Sequence, residues 1–225
     1  MIVDLNRDMG EGLGVYRLGG DAGMPAIASS ANIACGFHAG DPLVMHETLT
    51  LAARAGVQAG AHPGFLDLWG FGRRPIHGER PADVEKAVLQ QVGALLALAQ
   101  DAGCPVRHVK THGALGNIAN EDADRALAVA RAIYADRAYA DTGNPVSRKL
   151  PGAVLHDPVE AADRVVQMIE DGAIVGLSGR RIPARIDSIC VHGDTHGAVT
   201  MAAQLRADLA DRGIAVRPMA EATGA

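Results

Sequence analysis

Short apolar runs alternate along the chain with longer stretches whose apolar residues recur at helical spacing. The short runs are Ile2 to Leu5, Ala31 to Ala34, Val57 to Gly60, Val106 to Lys110, Gly152 to Leu155 and Ser188 to His192, and each predicts a strand. The longer stretches carry helix punctuation. Asp41 before Pro42 opens one that stops at Gly56, and Pro81 opens another ending near Gly103. Asp157 with Pro158 opens a third ending at Gly172, and the last runs from Gly197 to Gly213. Proline in the first turn forfeits no bond, because its N–H would find no helical partner, and glycine past the last turn accepts left-handed geometry. Strand and helix in alternation predict parallel βα units. The reading is an α/β fold, a single (β/α) barrel domain over residues 1–225.

In such a fold the carboxyl ends of successive strands converge on one face. Polar groups crowd those ends here, in Asp4-Leu5-Asn6-Arg7-Asp8, Cys35-Gly36-Phe37-His38-Ala39-Gly40-Asp41, Gly60-Ala61-His62-Pro63-Gly64 and Val191-His192-Gly193-Asp194. The chain therefore reads as an enzyme. Asp4, Asn6 and Asp8 alternate, so period two puts them on one face, able to bind a metal or orient a substrate amide. Asp4 could equally pair with a buried basic residue. His38 sits on a glycine-rich turn with no capping duty, whereas Asp41 reads both as a helix cap and as a site residue. His62 ends the third strand. The strand that carries Lys110 inward brings His112 to the same mouth. A buried lysine there needs either a lowered pKa or a carboxylate partner, with Asp4 the structural alternative. His192 and Asp194 close the set. Arg73 and Arg74, after Gly70-Phe71-Gly72, could clamp a carboxylate or simply be solvated. His46, His77, His108 and His156 read as structural.

Composition narrows the class. Of 225 residues, 48% are hydrophobic and 21% charged, which is globular usage, and a net charge of −5 offers no surface for nucleic acid or an anionic membrane. Three widely spaced cysteines, Cys35, Cys104 and Cys190, lack metal or redox spacing and read as buried thiols in a reducing compartment. No run approaches membrane-spanning length and no leader pattern opens the chain, so a cytoplasmic protein is expected. The sequence holds no GxxxxGK[ST], GxSxG or HExxH motif. Gly64 to Arg80 and Ala140 to Pro151, the latter with Arg148 and Lys149, are irregular loops.

Several of these runs resemble a known family. Asp4-Leu5-Asn6 with Gly10-Glu11, the run from Ala31 to Pro42 (ANIACGFHAGDP), Gly60-Ala61-His62-Pro63-Gly64, Gly70-Phe71-Gly72-Arg73-Arg74, His112-Gly113-Ala114-Leu115, Ala135-Asp136-Arg137-Ala138-Tyr139 and Ile189-Cys190-Val191-His192-Gly193-Asp194-Thr195 look like the signature runs of the LamB/YcsF family of lactam-utilisation proteins, the A components of 5-oxoprolinase. The resemblance implies a distorted, TIM-like (β/α) barrel of the glycoside hydrolase and deacetylase type. It also implies two partner subunits and ATP, with Mg2+, in the opening of 5-oxoproline to glutamate. On strand-end placement Asp4, His38, His62 and His192 form the polar core, Lys110 and His112 stabilise charge or move protons, and Asn6, Asn32, Asp41, Arg73 and Asp194 contact substrate. A second reading is a metal-dependent, deacetylase-like C–N hydrolase with Asp4, His38 and His62 as candidate ligands. A third is a non-catalytic scaffold within the same assembly, and a homo-oligomer stays open.

The chain departs from the family pattern at Arg7, Thr111, Gly116 and His196. The largest departure is between Ala132 and Tyr134, where the family carries a further strand and helix. Either a βα unit has been lost, or residues between Ile133 and Tyr134 are unresolved and the numbering runs on across the gap. The second is favoured, because a closed parallel barrel hardly survives loss of an internal strand.

Overall fold

The computed structural model of the chain describes all residues except 78, 121–131, 135–136, 142–144, 147–149, 193–196, 219–220 and 222–225. The chain gathers into two compact units, Asp8–Ala26 with Ser30–Val129, and Met1–Arg7 with Ile27–Ser29 and Ala130–Ala225. The opening strand β1 (Ile2–Met9) contributes its last two residues to the first unit and the rest to the second.

The first unit is built on β2 (Ser30–Ala34), β3 (Gln58–His62) and β4 (Val106–Val109), paired in parallel. Ala34 stands level with His62. Gly60 stands level with His108, and a Cβ there would lie 2.1 Å from the His108 ring, so only glycine admits that imidazole. Helix α1 (Pro42–Ala55) follows the expected punctuation: the Asp41 carboxylate accepts from the Leu43 and Val44 amides at 2.8 and 3.0 Å, and Gly56 ends the helix at φ 69°. Its buried face is Val44, Met45, Thr48, Leu49 and Ala52. Fully burying a side chain such as Leu49 contributes ~1.5–3 kcal/mol. Helix α2 (Pro81–Asp101) buries Leu95, Ala99 and one polar residue, Gln91. Both ends of the Gln91 amide grip the Gly64 peptide, each at 3.0 Å, which fixes the chain just beyond His62. Helix α3 (Gly113–Asn120) is not predicted by the apolar pattern; its Ala114 and Leu115 pack with Phe65 under the loop after β3.

In the second unit the first part of β1 pairs in parallel with β8 (Ser188–Val191) and with β9 (Ala215–Val216), and β5 (Ala132–Tyr134) pairs in parallel with β8. Ile133 and Tyr134 are thus successive residues of one strand, opposite Ile189 and Cys190. Helices α4 (Pro158–Asp171), capped by Asp157 and Gly172, and α5 (Ala198–Asp211) pack on each other. Between α4 and β8 lies an antiparallel pair, β6 (Ala173–Val175) and β7 (Arg181–Pro183). The strand expected at Gly152 to Leu155 is not formed: Val154 makes an isolated bridge to Arg137. Four residues between glycine- and proline-containing turns are too few to compete with that local pairing. Among the described residues no helix is long and apolar enough to cross a membrane.

Candidate functional site

Four buried side chains of the first unit converge. One ligating atom from each of Glu11, His38, His62 and His112 lies within 4.8 Å of the others. His62 is the last residue of β3, His38 lies on the turn after β2, His112 follows β4, and Glu11 comes two residues after β1. They meet because parallel strands deliver their carboxyl ends together.

The rings are held tightly. His38 and His112 stack with centroids 3.7 Å apart and planes 2° from parallel, and His62 stands edge-on to His112 at 4.8 Å. Phe71 packs edge-on against both stacked rings. It adopts φ 54°, left-handed geometry that a bulky residue takes only when its surroundings dictate it. Its carbonyl accepts from His112 Nε2 at 2.8 Å. His62 Nδ1 bonds the Lys110 carbonyl at 2.6 Å, leaving Nε2 turned to His112 Nδ1 at 2.9 Å and to Asp8 Oδ2 at 3.4 Å. Among the described residues both His38 ring nitrogens lack a hydrogen-bond partner, with Nε2 3.5 Å from Glu11 Oε1. Burial, reinforced by neighbouring imidazoles, pushes the pKa values of His38 and His112 well below the ordinary histidine value. Burial lowers that of His62 too, against the pull of Asp8. All three rings are therefore neutral at neutral pH.

Beside the rings, Lys110 Nζ meets Asp8 Oδ1 at 2.5 Å. Asn32 Nδ2 donates to the same oxygen at 2.9 Å, and Asn32 Oδ1 faces His108 Nε2 at 2.8 Å. His108, read from the sequence as structural, thus stands at the back of this polar chain. The Lys110 carboxylate partner is Asp8, two pleats along β1 from the Asp4 considered from the sequence. Arg73 lies over the Phe71 ring with its guanidinium carbon 5.2 Å from the centroid, whereas Arg74 is tied to Asp67 within the loop. Asp41 caps α1 and also accepts from the Gly14 amide at 2.6 Å.

The remaining candidates belong to the second unit. Buried Asp4 accepts from Ser29 at 2.8 Å and Ser188 at 2.6 Å, and Asn6 donates to Ser188 at 2.6 Å. His192 is half-buried just after β8. Asp194 lies outside the described residues, as do Arg148 and Lys149. Glu11 is not singled out for chemistry by the sequence, although Gly10-Glu11 stands among the runs carrying the resemblance. Its signal is position: it follows the polar end of β1 and a glycine at φ 70°.

The family model for LamB/YcsF matches residues 3–134 and 123–224. The chain belongs to the LamB/YcsF family. It is 50% identical over 252 aligned positions to a Rhodopseudomonas palustris protein named as the A component of 5-oxoprolinase, covering 98% of this chain and 99% of the relative. Since this chain has 225 residues, that alignment includes positions with no counterpart here, and the two matches to the family model overlap over residues 123–134. The crystal structure of a lactam utilization protein from Thermus thermophilus superposes with a TM-score of 0.86 at 36% identity, covering 96% of this chain and 99% of that one. A deacetylase solved with substrate superposes at 0.52 with 16% identity, covering 99% of this chain and 90% of that one, a likeness of fold alone. The parallel α/β architecture expected of the LamB/YcsF family, of the deacetylase and TIM-barrel type, is the one observed.

Proposed function

We propose that this LamB/YcsF chain is the amide-hydrolysing component of an ATP-dependent 5-oxoprolinase, opening the lactam of 5-oxoproline to glutamate together with partner subunits. The name carried by its 50%-identical relative supports the substrate. The observation that carries the chemistry is the buried cluster of Glu11, His38, His62 and His112 beside the Asp8 and Lys110 pair. A five-membered lactam is an unreactive amide, so its carbonyl carbon must be made electrophilic before water attacks. ATP, with Mg2+ as its counter-ion, would supply a phosphoryl group for the carbonyl oxygen and leave as ADP. One water and cleavage of the ring C–N bond, the nitrogen leaving protonated as the amine, would give an acyl phosphate. A second water would hydrolyse it to glutamate and inorganic phosphate. The chain's own groups then have clear tasks. Lys110, anchored by Asp8, brings positive charge to the oxygen where negative charge develops. The neutral His38 imidazole, whose ring nitrogens have no hydrogen-bond partner among the described residues, accepts the proton of the attacking water. Arg73, at the rim of the rings, pairs with the substrate carboxylate.

The test is ATP consumption and glutamate release from 5-oxoproline with the assembled subunits. Release that needs this chain, and that falls about 10²–10⁴-fold when His38 becomes Ala, supports the reading. Equal release by the partners without this chain would leave it a scaffold.

A further inference from the structure

The tautomers of the buried rings are set by their backbone partners. A neutral imidazole has one N–H, and a carbonyl oxygen can only accept. His62 Nδ1 therefore donates to the Lys110 carbonyl and His112 Nε2 to the Phe71 carbonyl. The nitrogens left over, His62 Nε2 and His112 Nδ1, are both lone pairs, yet they face each other at 2.9 Å. Around them stand further acceptors: Glu11 Oε1 is 3.7 Å from His112 Nδ1, and Asp8 Oδ2 is 3.4 Å from His62 Nε2. Lone pairs so placed repel unless something positive lies among them. A shared proton would serve, but it would make an imidazolium in a buried site next to the Lys110 cation.

We propose that Glu11, His62 and His112 bind a divalent transition-metal ion, zinc-like in its donor set, with His38 lining the fourth position. Metal bonds of about 2.0–2.1 Å in tetrahedral geometry put neighbouring ligand atoms about 3.3 Å apart. The observed 2.9 Å between His62 and His112 and 3.7 Å between Glu11 and His112 straddle that spacing, so shifts of about 0.4 Å suffice for these two pairs. The carbonyl bonds to the far nitrogens are the supports that ligating histidines ordinarily have, fixing ring orientation and tautomer. His38, stacked on His112, cannot aim at the same point without tilting, but its partnerless nitrogens suit a water in the fourth position. The cation would polarise a carbonyl or lower the pKa of that water.

The inference deepens the proposed activity by naming an electrophile in the same pocket, yet it is read without lactam, ATP or partners, so the two fail separately. Purified full-length chain is stripped with a chelator, incubated with ZnCl2 or CoCl2, desalted and analysed for metal and for melting temperature. The expected result is about one ion per chain, a raised melting temperature, and at least a tenfold weaker uptake for the Glu11→Gln/His112→Gln double variant. His46→Gln, on the exposed side of α1, should bind like the wild type. Should the double variant not fold, Co2+ added to the stripped wild type gives the decision by its visible absorption: intense tetrahedral bands support the site. A folded wild type that retains no Zn2+ or Co2+ and shows no such bands overturns the proposal, and a shared proton then holds the rings together.

Discussion

Lys110 Nζ and Asp8 Oδ1 lie 2.5 Å apart, joining the residue just after β4 to the penultimate residue of β1 across a buried surface. A charge removed from water is tolerable only while its partner stays. Lys110→Met leaves the buried Asp8 carboxylate without its ammonium partner, and should cost about 3 kcal/mol of unfolding free energy. The double variant Lys110→Met/Asp8→Leu should recover a large part of that loss. Urea unfolding of the two singles and the double reads the coupling; strictly additive losses would show that the pair is not a unit.

Gly72 should be the most intolerant glycine of the loop after β3. It adopts φ 63°, and a Cβ there would stand 2.7 Å from His38 Cβ and 2.8 Å from His112 Cδ2. Gly72→Ala therefore combines left-handed strain of about 1–2 kcal/mol with overpacking of about 1–3 kcal/mol. Gly213→Ala, at φ 71° with open space around it, carries the strain alone. Thermal unfolding should rank Gly72→Ala well below Gly213→Ala; equal losses would mean the stacked rings yield freely.

The helices α1 and α4 were legible because their ends are written in single residues. Asp41-Pro42 and Gly56 bound α1, and Asp157-Pro158 and Gly172 bound α4, by local hydrogen bonding that any fold would preserve. The strands β2, β3 and β8 were legible as apolar runs, and with them the convergence of His38 and His62. What the sequence hid depends on tertiary pairing. The strands β6 and β7 are three residues each and stabilise only as a pair, so neither carries a period of its own. Glu11 lies beyond any strand, and nothing local says that its carboxylate turns to His38 and His112. Period two rightly made Asp4 and Asn6 neighbours, whose side chains share Ser188. It could not say that Asp8 would take Lys110.

Acid should unfold the metal-free protein through its histidines. His38, His62 and His112 are neutral in the folded chain because burial depresses their pKa values, whereas the unfolded chain titrates near the ordinary value. Below about pH 6.5 the unfolded state binds more protons, so stability is full above that pH and falls as pH drops, by about 1.4 kcal/mol per pH unit for each ring held neutral. Urea midpoints at pH 7.5 and pH 5 should differ accordingly. His38→Phe, which keeps a flat ring without a proton to gain, should flatten the slope; an unchanged slope would show that His38 is charged in the native state.

Asn32 makes the reverse prediction. Its amide donates to Asp8 Oδ1 at 2.9 Å while its carbonyl oxygen faces His108 Nε2 at 2.8 Å, so one neutral side chain serves a carboxylate and an imidazole at once. Asn32→Asp keeps the shape and the oxygen toward His108, but replaces a donor with a second carboxylate against Asp8. Two carboxylates at that distance cannot both ionise cheaply, and one pKa rises. A raised folded-state pKa means that the folded variant holds a proton the unfolded chain has lost, so its stability declines as pH rises through that pKa. The variant should therefore be less stable than wild type at pH 8 and should regain part of the difference at pH 6, opposite in sign to the histidine effect. Urea titrations of both proteins at the two pH values measure it; a deficit independent of pH would mean that Lys110 alone neutralises both acids.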